Sequence, residues 1–488
     1  MISVSGVRGR VGEALTPEVI ATYAAAFGAW AKQHRSAAQR SATQRSATQR
    51  SATQRSATQQ SLTAPPRPEA TSGEATRSAV VVGRDSRVSG PMFTRVVIAA
   101  LQSVGCDVID VGLAPTPTIQ LAVEWHHAAG GLAITASHNP IEWNALKFIA
   151  PSGLFLSSAE GAEMRTAMAQ GIPRATWDCL GQVTSDPEAI SRHIEAILAL
   201  PYVDVPAMRR RRFHVALDCV RGAGATIMPE LLDRLGCRVT AINLETDGRF
   251  PRPPEPVAEN LGDLERLVRE SHADIGMAVD PDVDRLALVD ETGSAIGEDY
   301  TLALAAGAVL RRTKGPVVTN LSTSRVVDDA AALAGVEVIR APVGEVNVAL
   351  RMRDEGSPVG GEGNGGVIVK DLHLGRDAPA GAALVLQLLL EADAPLSRIV
   401  GDRPRYAIVK DKLDRPSGSL DSVYEALRTA FAGAGVDTAD GIRFAWADRW
   451  VHVRPSGTEP VVRVIAEAPT EAMARELVER SRSYLLGQ

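Results

Sequence analysis

Four cysteines are scattered over the 488 residues, and none of Cys106, Cys179, Cys219 and Cys237 has a CxxC partner. That spacing excludes a disulfide-stapled scaffold and a cysteine zinc site, and reads as buried apolar thiols in a reducing compartment. Lysine is nearly as sparse, with six (Lys32, Lys147, Lys314, Lys370, Lys410 and Lys412) among 52 basic residues. The formal net charge is -6, so the chain lacks the basic excess of a general nucleic-acid binder. No apolar run approaches the roughly 20 residues that span a bilayer. The opening, MISVSGVRGR, lacks the charged-then-apolar pattern of a signal peptide. The expectation is a cytoplasmic protein with neither nucleic acid nor membrane among its partners.

What is present suffices for packed cores: 45% of residues are hydrophobic and 23% charged, an ordinary globular balance. The length implies three or four domains. Residues 14–32 read as a helix, capped by Thr16 and opened by Pro17. From Arg35 the chain repeats RSAAQ once and RSATQ four times, then runs into APPRPEATSGEATRS. A period of five fits neither helix nor strand, and with so few apolar side chains residues 35–78 read as a disordered low-complexity insertion. Beyond it strand and helix patterns alternate: AVVVG, a helix from PMFTR, CDVIDVG and GGLAIT; then FHVALD to ADIGMAVD; then GPVVTN to VEVIRAP. Three such stretches predict three similar doubly wound α/β domains. From about residue 400 the order changes to a smaller α+β domain. The expected boundaries are 1–157, 158–297, 298–398 and 399–488.

Four motifs carry chemistry. In ITASHNP an apolar strand ends at Thr135 and Ser137 falls in a turn, at the carboxyl end of a strand where α/β sheets collect ligands. No G-x-S-x-G surrounds Ser137, which argues against an esterase. In DPDVDR, Asp280, Asp282 and Asp284 alternate between two apolar strands and can converge on one hard cation such as Mg²⁺. The same residues with Glu291 mimic a calcium loop, but Arg285 stands where that loop needs glycine. In RPSGTEP, Arg454 can grip phosphate through paired hydrogen bonds, while Ser456, Gly457 and Thr458 offer hydroxyls and turned backbone N–H groups. In GEGNGG, Glu362 and Asn364 can hydrogen-bond sugar hydroxyls, and the segment lacks the strand–helix setting of a dinucleotide loop.

Together and in this order, the four motifs resemble those of the α-D-phosphohexomutase superfamily, and SGVRG, GRDSR, DCVRGAG, DGRFPRPPEP and APVGE match in kind. The resemblance spans nearly the whole chain apart from the insertion. It implies four domains around a central cleft, one motif loop from each. It implies phosphorylated Ser137 as the carrier, and one Mg²⁺ per chain on Asp280, Asp282, Asp284 and the Ser137 phosphate. Arg8, His138 and Lys147 would border the transfer site, with Lys147 as proton shuttle and Arg285 nearby. Glu362 and Asn364 would orient the sugar. Arg454, Ser456, Gly457, Thr458 and Arg463 would hold the phosphate not being transferred. The implied reaction is an intramolecular phosphotransfer through a sugar bisphosphate, which also serves as activator. Gly366 stands where many bacterial relatives have a histidine. The GEGNGG form points to glucosamine 6-phosphate and glucosamine 1-phosphate as the interconverted pair. Phosphomannomutase or phosphoglucomutase activity is the alternative, and a phosphoserine-dependent sugar phosphatase a third reading.

Overall fold

The computed structural model describes residues 2–3, 6–34, 78–415, 419–456 and 461–486. The repeat segment, read as a disordered insertion from the sequence, lies outside the described residues except for Ser78. The first helix runs over 17–34 rather than 14–32, because Val11 first bridges Leu15 in a tight turn. Ile20, Tyr23, Ala24, Phe27 and Trp30 form its buried stripe at helical spacing, and Phe27 stacks on Phe148 with ring centroids 5.5 Å apart.

Three mixed sheets follow the alternating pattern, each covered by helices. In the first, the strand order is Ile2–Ser3, Gly6–Arg10, Trp143–Ile149, Gly130–Ile134, Ala79–Arg84, Asp107–Leu113 and Val183–Ser185. Its central strands are parallel, and Gly130–Ile134 is buried at every position, as expected of a strand covered on both faces. The second sheet orders Leu286–Val289, Ile275–Val279, His214–Asp218 and Arg238–Ile242. The third orders Val338–Ala341, Val317–Asn320, Val359–Glu362 and Gly366–Val369. The last sheet is wholly antiparallel, running Ala407–Asp414, Val461–Ala468, Trp450–Pro455, Ile442–Ala445 and Gly435–Asp437, with helices Asp421–Ala430 and Glu471–Leu485.

All four motifs occupy the same structural position, the connection of an antiparallel hairpin. ITASHNP follows Gly130–Ile134, DPDVDR follows Ile275–Val279, GEGNGG spans Val359–Glu362 and Gly366–Val369, and RPSGTEP joins Trp450–Pro455 to Val461–Ala468. In the first three, the leading strand also pairs with a parallel neighbour, which aims the loop at the carboxyl edge of its sheet.

The second and third sheets share one continuous apolar core. It includes the helices Asp299–Leu310 and Ala378–Ala392, apolar nearly all round and buried to match. The first and last sheets have cores of their own. Among the described residues no helix is long and apolar enough to cross a membrane. All four cysteines are free, but they are not uniformly buried. Cys106 and Cys219 are enclosed, Cys237 is half-buried and Cys179 is exposed, the last because it falls in an irregular surface connection before Val183–Ser185.

Candidate active site

The loop after Gly130–Ile134 turns sharply, with Ser137 in the left-handed region at φ +49°. A residue not singled out from the sequence, Arg87, holds it there. This guanidinium is fully buried and donates to four backbone carbonyls: Ser137 and Asn139 (both 2.6 Å), Pro140 (2.7 Å) and Trp143 (2.8 Å). Asp85 anchors Arg87 through Nε at 3.1 Å and also accepts from Thr135 Oγ1, which in turn accepts from Ser137 N. The GRDSR segment is thus the scaffold of the serine loop.

Facing Ser137 are Asp280, Asp282 and Asp284, all buried, with one carboxylate oxygen of each lying within 4.8 Å of the others. Val283, at φ +66°, lets the intervening backbone turn. Ser137 Oγ donates to Asp280 Oδ2 at 2.7 Å. Asp280 Oδ1 accepts from the backbone N–H groups of Asp284 and Arg285. Asp282 Oδ2 accepts from Lys147 Nζ and Thr116 Oγ1, both at 2.7 Å. Asp284 Oδ2 accepts from Arg376 Nη2 at 2.6 Å, and the last two oxygens, Asp282 Oδ1 and Asp284 Oδ1, are buried without a hydrogen-bond partner. Buried polar atoms are ordinarily satisfied, and three hard oxygen donors with two lone pairs unmet suit a divalent cation. Burial together with Asp284 and Asp282 pushes the Asp280 carboxyl well up. Burial acts the same way on Asp282, but Lys147 outweighs it and holds that carboxyl below the usual range. Burial acts to lower the Lys147 pKa, but Asp282 and Asp284 outweigh it and raise it above the ordinary value, so the amine stays protonated. Glu291, the twelfth position of the calcium-loop pattern, instead pairs with Ser397 N and Oγ, and the flanks are strands, so that pattern forms no calcium loop.

The quoted supporting segments brace this loop. A Cβ on Gly222 would sit 2.7 Å from Pro281 Cα, and Ala223 N donates to Pro281 O. Arg252 Nε donates to Asp218 Oδ2 at 2.6 Å, tying DGRFPRPPEP to the end of strand His214–Asp218.

The GEGNGG hairpin presents Glu362 from one strand end. Its Oε1 accepts from Asn320 Nδ2 at 2.9 Å and Gly344 N at 3.1 Å, and its Oε2 from Arg376 Nη1 at 2.7 Å. Although burial acts to raise its pKa, Arg376 and Asn320 hold this carboxyl below its ordinary value. Asn364 Oδ1 accepts from Gly366 N inside the loop. Arg376 and Glu345 complete this wall, and neither was singled out from the sequence.

A cleft of about 560 Å³ collects these groups. Arg8, Ser137, His138 and Lys147 line one side, Arg285, Glu362 and Asn364 another, and Arg463 reaches in from the last sheet. Arg8 Nη1 donates to Asn139 Oδ1 at 2.6 Å. His138 Nδ1 lies 3.4 Å from Ser137 Oγ; burial, then Arg285 and Arg8, keep its imidazole neutral. Arg285 Nη1 pairs with Glu255 at 2.9 Å. Arg454 is not part of the lining: its Nε donates to Asp440 Oδ2 at 2.8 Å. Ser456 N closes the hairpin on Val461 O, and Gly457 and Thr458 lie outside the described residues.

Models of four consecutive domains match the chain: "Phosphoglucomutase/phosphomannomutase, alpha/beta/alpha domain I" at residues 69–174, domain II at 191–293, domain III at 297–406 and the C-terminal domain at 410–483. Fold and matches together define a phosphohexomutase, an isomerase that works by phosphoryl transfer. The chain belongs to the phosphoglucomutase/phosphomannomutase family. A phosphoglucomutase/phosphomannomutase of Thermococcus kodakarensis is 41% identical over 407 residues, covering 83% of this chain and 89% of that protein. A probable phosphoglucosamine mutase of Methanopyrus kandleri is 37% identical over 478 residues, covering 97% and 95%. Among solved structures, a phosphoglucomutase/phosphomannomutase family protein from Burkholderia thailandensis has the same fold, with a TM-score of 0.79 at 24% identity and coverage of 100% and 97%.

Proposed function

We propose that this chain interconverts glucosamine 6-phosphate and glucosamine 1-phosphate, with Ser137 carrying the phosphoryl group. The observation that carries this reading is Ser137 Oγ at 2.7 Å from Asp280, one of a buried aspartate trio, on the wall of one polar cleft. Phosphoryl transfer depends on alignment and charge neutralisation more than on covalent help. Asp280, Asp282 and Asp284 would hold Mg²⁺ with an oxygen of phosphorylated Ser137, and the partnerless oxygens of Asp282 and Asp284 fit that role. When bound, the ion would offset charge on the moving group.

The chain's own residues do the rest. The phosphorus–oxygen bond to Ser137 breaks as one forms to a sugar hydroxyl; that hydroxyl loses a proton and Ser137 Oγ gains one. Lys147, kept protonated on Asp282 in the same cleft, and His138, kept neutral 3.4 Å from Ser137 Oγ, serve as donor and acceptor for that exchange. Arg8 and Arg285 add positive charge at the mouth. Glu362 and Asn364 meet sugar hydroxyls, while Arg463, with Ser456, Gly457 and Thr458 of the same hairpin motif, holds the distal phosphate; Arg454, tied to Asp440, stands behind them. That remote binding energy is available for positioning the reacting end. The bisphosphate then turns end for end and returns its other phosphate to Ser137.

Two observations favour the amino sugar. The sugar-facing wall sets Glu345 and Glu362 against the one guanidinium of Arg376, an environment that suits an ammonium group. Relatives covering most of the chain carry the name probable phosphoglucosamine mutase. Mannose and glucose phosphates form the second reading, since the Thermococcus relative at 41% identity is named for them. Side-by-side kinetics on the 1-phosphates of glucosamine, glucose and mannose decide between them. The highest kcat/KM is expected on glucosamine 1-phosphate, and near-zero turnover of it would overturn the assignment.

A further inference from the structure

Arg376 is a cleft cation engaged by three carboxylates, and the transfer scheme above assigns it no step. Its guanidinium is buried and meets three carboxylates from three chain segments: Nη2 donates to Asp284 Oδ2 at 2.6 Å, Nη1 to Glu362 Oε2 at 2.7 Å and Nε to Glu345 Oε2 at 3.0 Å. Arg376 N also donates to Glu345 Oε1 at 3.3 Å. One rigid, planar group therefore joins the acidic loop, the sugar loop and the first turn of helix Glu345–Glu355. A fork of this kind fixes angles as well as distances, which a point charge does not. With Asp284 Oδ2 held by Arg376, Oδ1 is the oxygen left without a partner.

Gly366 supplies the second, independent observation. It has no positive φ, so its backbone does not require glycine. A Cβ built there would lie 2.3 Å from Arg376 Cδ and 3.0 Å from its Cγ. Those atoms are mid-chain, and the guanidinium beyond them is pinned on three sides, so even alanine would displace the whole side chain. The missing side chain at 366 is the space Arg376 passes through.

We propose that Arg376 is a positioning residue that sets the sugar-facing carboxylate Glu362 at a fixed spacing from the aspartate trio, and that Gly366 is bare in order to admit it. This rests on the mutase reading. A purely neutralising role would be served by any buried cation, whereas a positioning role needs the fork.

The test uses Arg376→Gln, Arg376→Lys, Gly366→Ala and the double variant Gly366→Ala/Arg376→Gln in the full chain. Melting temperature, kcat and KM are measured on the hexose phosphate that the parent turns over fastest. Affinity for that sugar phosphate is also measured by calorimetry without metal, in a Ser137→Ala background. Arg376→Gln and Gly366→Ala are each expected to lower kcat/KM about 10- to 100-fold and to weaken calorimetric binding about 10-fold. The double variant should be no worse than the poorer single, because both remove one interaction. Arg376→Lys should recover melting temperature but not kcat. Wild-type kcat/KM in Arg376→Lys or Gly366→Ala, or losses that multiply in the double variant, would overturn the proposal. If Arg376→Gln does not fold, Gly366→Ala and Arg376→Lys, which keep the cation, carry the test. A parent inactive on every hexose phosphate would sink the mutase reading and this inference with it; an active parent with indifferent variants would sink only the role of Arg376.

Discussion

The two ends of the cleft are built on different terms. At the serine end the reacting loop is over-determined: five hydrogen bonds from Arg87, one of them to the bracing Asp85, and the burial of Ser137 and of the whole acidic loop leave Ser137 and the acids little freedom. At the arginine end the last sheet has its own core and meets the third unit through a few polar contacts. Ser322 Oγ donates to His452 Nδ1 at 2.8 Å, Ser324 Oγ to Glu467 at 2.5 Å, and Val343 N to Asp440 Oδ2 at 3.1 Å. The contrast fits the chemistry: a transferring atom tolerates little misplacement, whereas a clamp that takes either end of a turning bisphosphate has to release and re-engage.

The largest effect should come from breaking the rigid end. Arg87→Ala strands Asp85 and four carbonyls in the interior, a change that costs about 3–5 kcal/mol when a buried ionic partner is removed. A lower melting temperature and a kcat reduced by at least about 100-fold are expected. Activity and stability close to wild type would show that the serine loop holds itself.

An intermediate effect should appear at the soft end under acid. His452 donates through Nε2 to Asp440 O and accepts from Ser322, and burial lowers its pKa to about 4. A histidine whose folded pKa lies below its unfolded value takes up protons mainly in the unfolded state, so stability is lost as pH falls through the interval from about 6.5 to about 4. By pH 5 the loss is about 2 kcal/mol. Glu467, raised by burial, acts in the opposite direction, so the informative quantity is a difference. His452→Gln should be less stable than wild type at pH 7, yet lose about 2 kcal/mol less between pH 7 and pH 5. Denaturant melts at both pH values measure this, and equal acid sensitivity would contradict it.

The smallest effect should come from Asp440→Ala, which frees Arg454 and cuts the tie to Val343. KM should change by about threefold or less, with kcat nearly untouched, in steady-state assays. A collapse of kcat would mean that the last lobe is as tightly specified as the serine end.

The same contrast governs what was legible in the sequence. Ser137, the three aspartates and Glu362 were readable because each sits in a short polar loop between apolar strands, and hairpin connections keep loop residues adjacent in sequence. Arg87, Glu345 and Arg376 were not, because their partners lie far off: Arg87 acts on residues about fifty positions away, and Arg376 reaches back 92 positions to Asp284. Arg87 and Glu345 fall inside GRDSR and APVGE, segments that match the family in kind without marking either side chain, whereas Arg376 shows only as a charged residue before an apolar helix, in GRD before APAGAALVLQLLL. Arg454 and Arg463 face each other across one hairpin, and only the fold separates the one paired with Asp440 from the one in the cleft. The helix start at 17 and the exposure of Cys179 depend on a local turn and a surface connection, which periodicity does not encode.

The most direct measurement is a rapid-quench chase. Protein phosphorylated from a labelled hexose 1,6-bisphosphate is mixed with unlabelled glucosamine 6-phosphate, and the peptide containing Ser137 is followed by mass spectrometry. Label should sit on Ser137 and leave it for sugar at least as fast as steady-state turnover. Label on any other residue, or a Ser137 phosphate that decays more slowly than turnover, would contradict a carrier at this position.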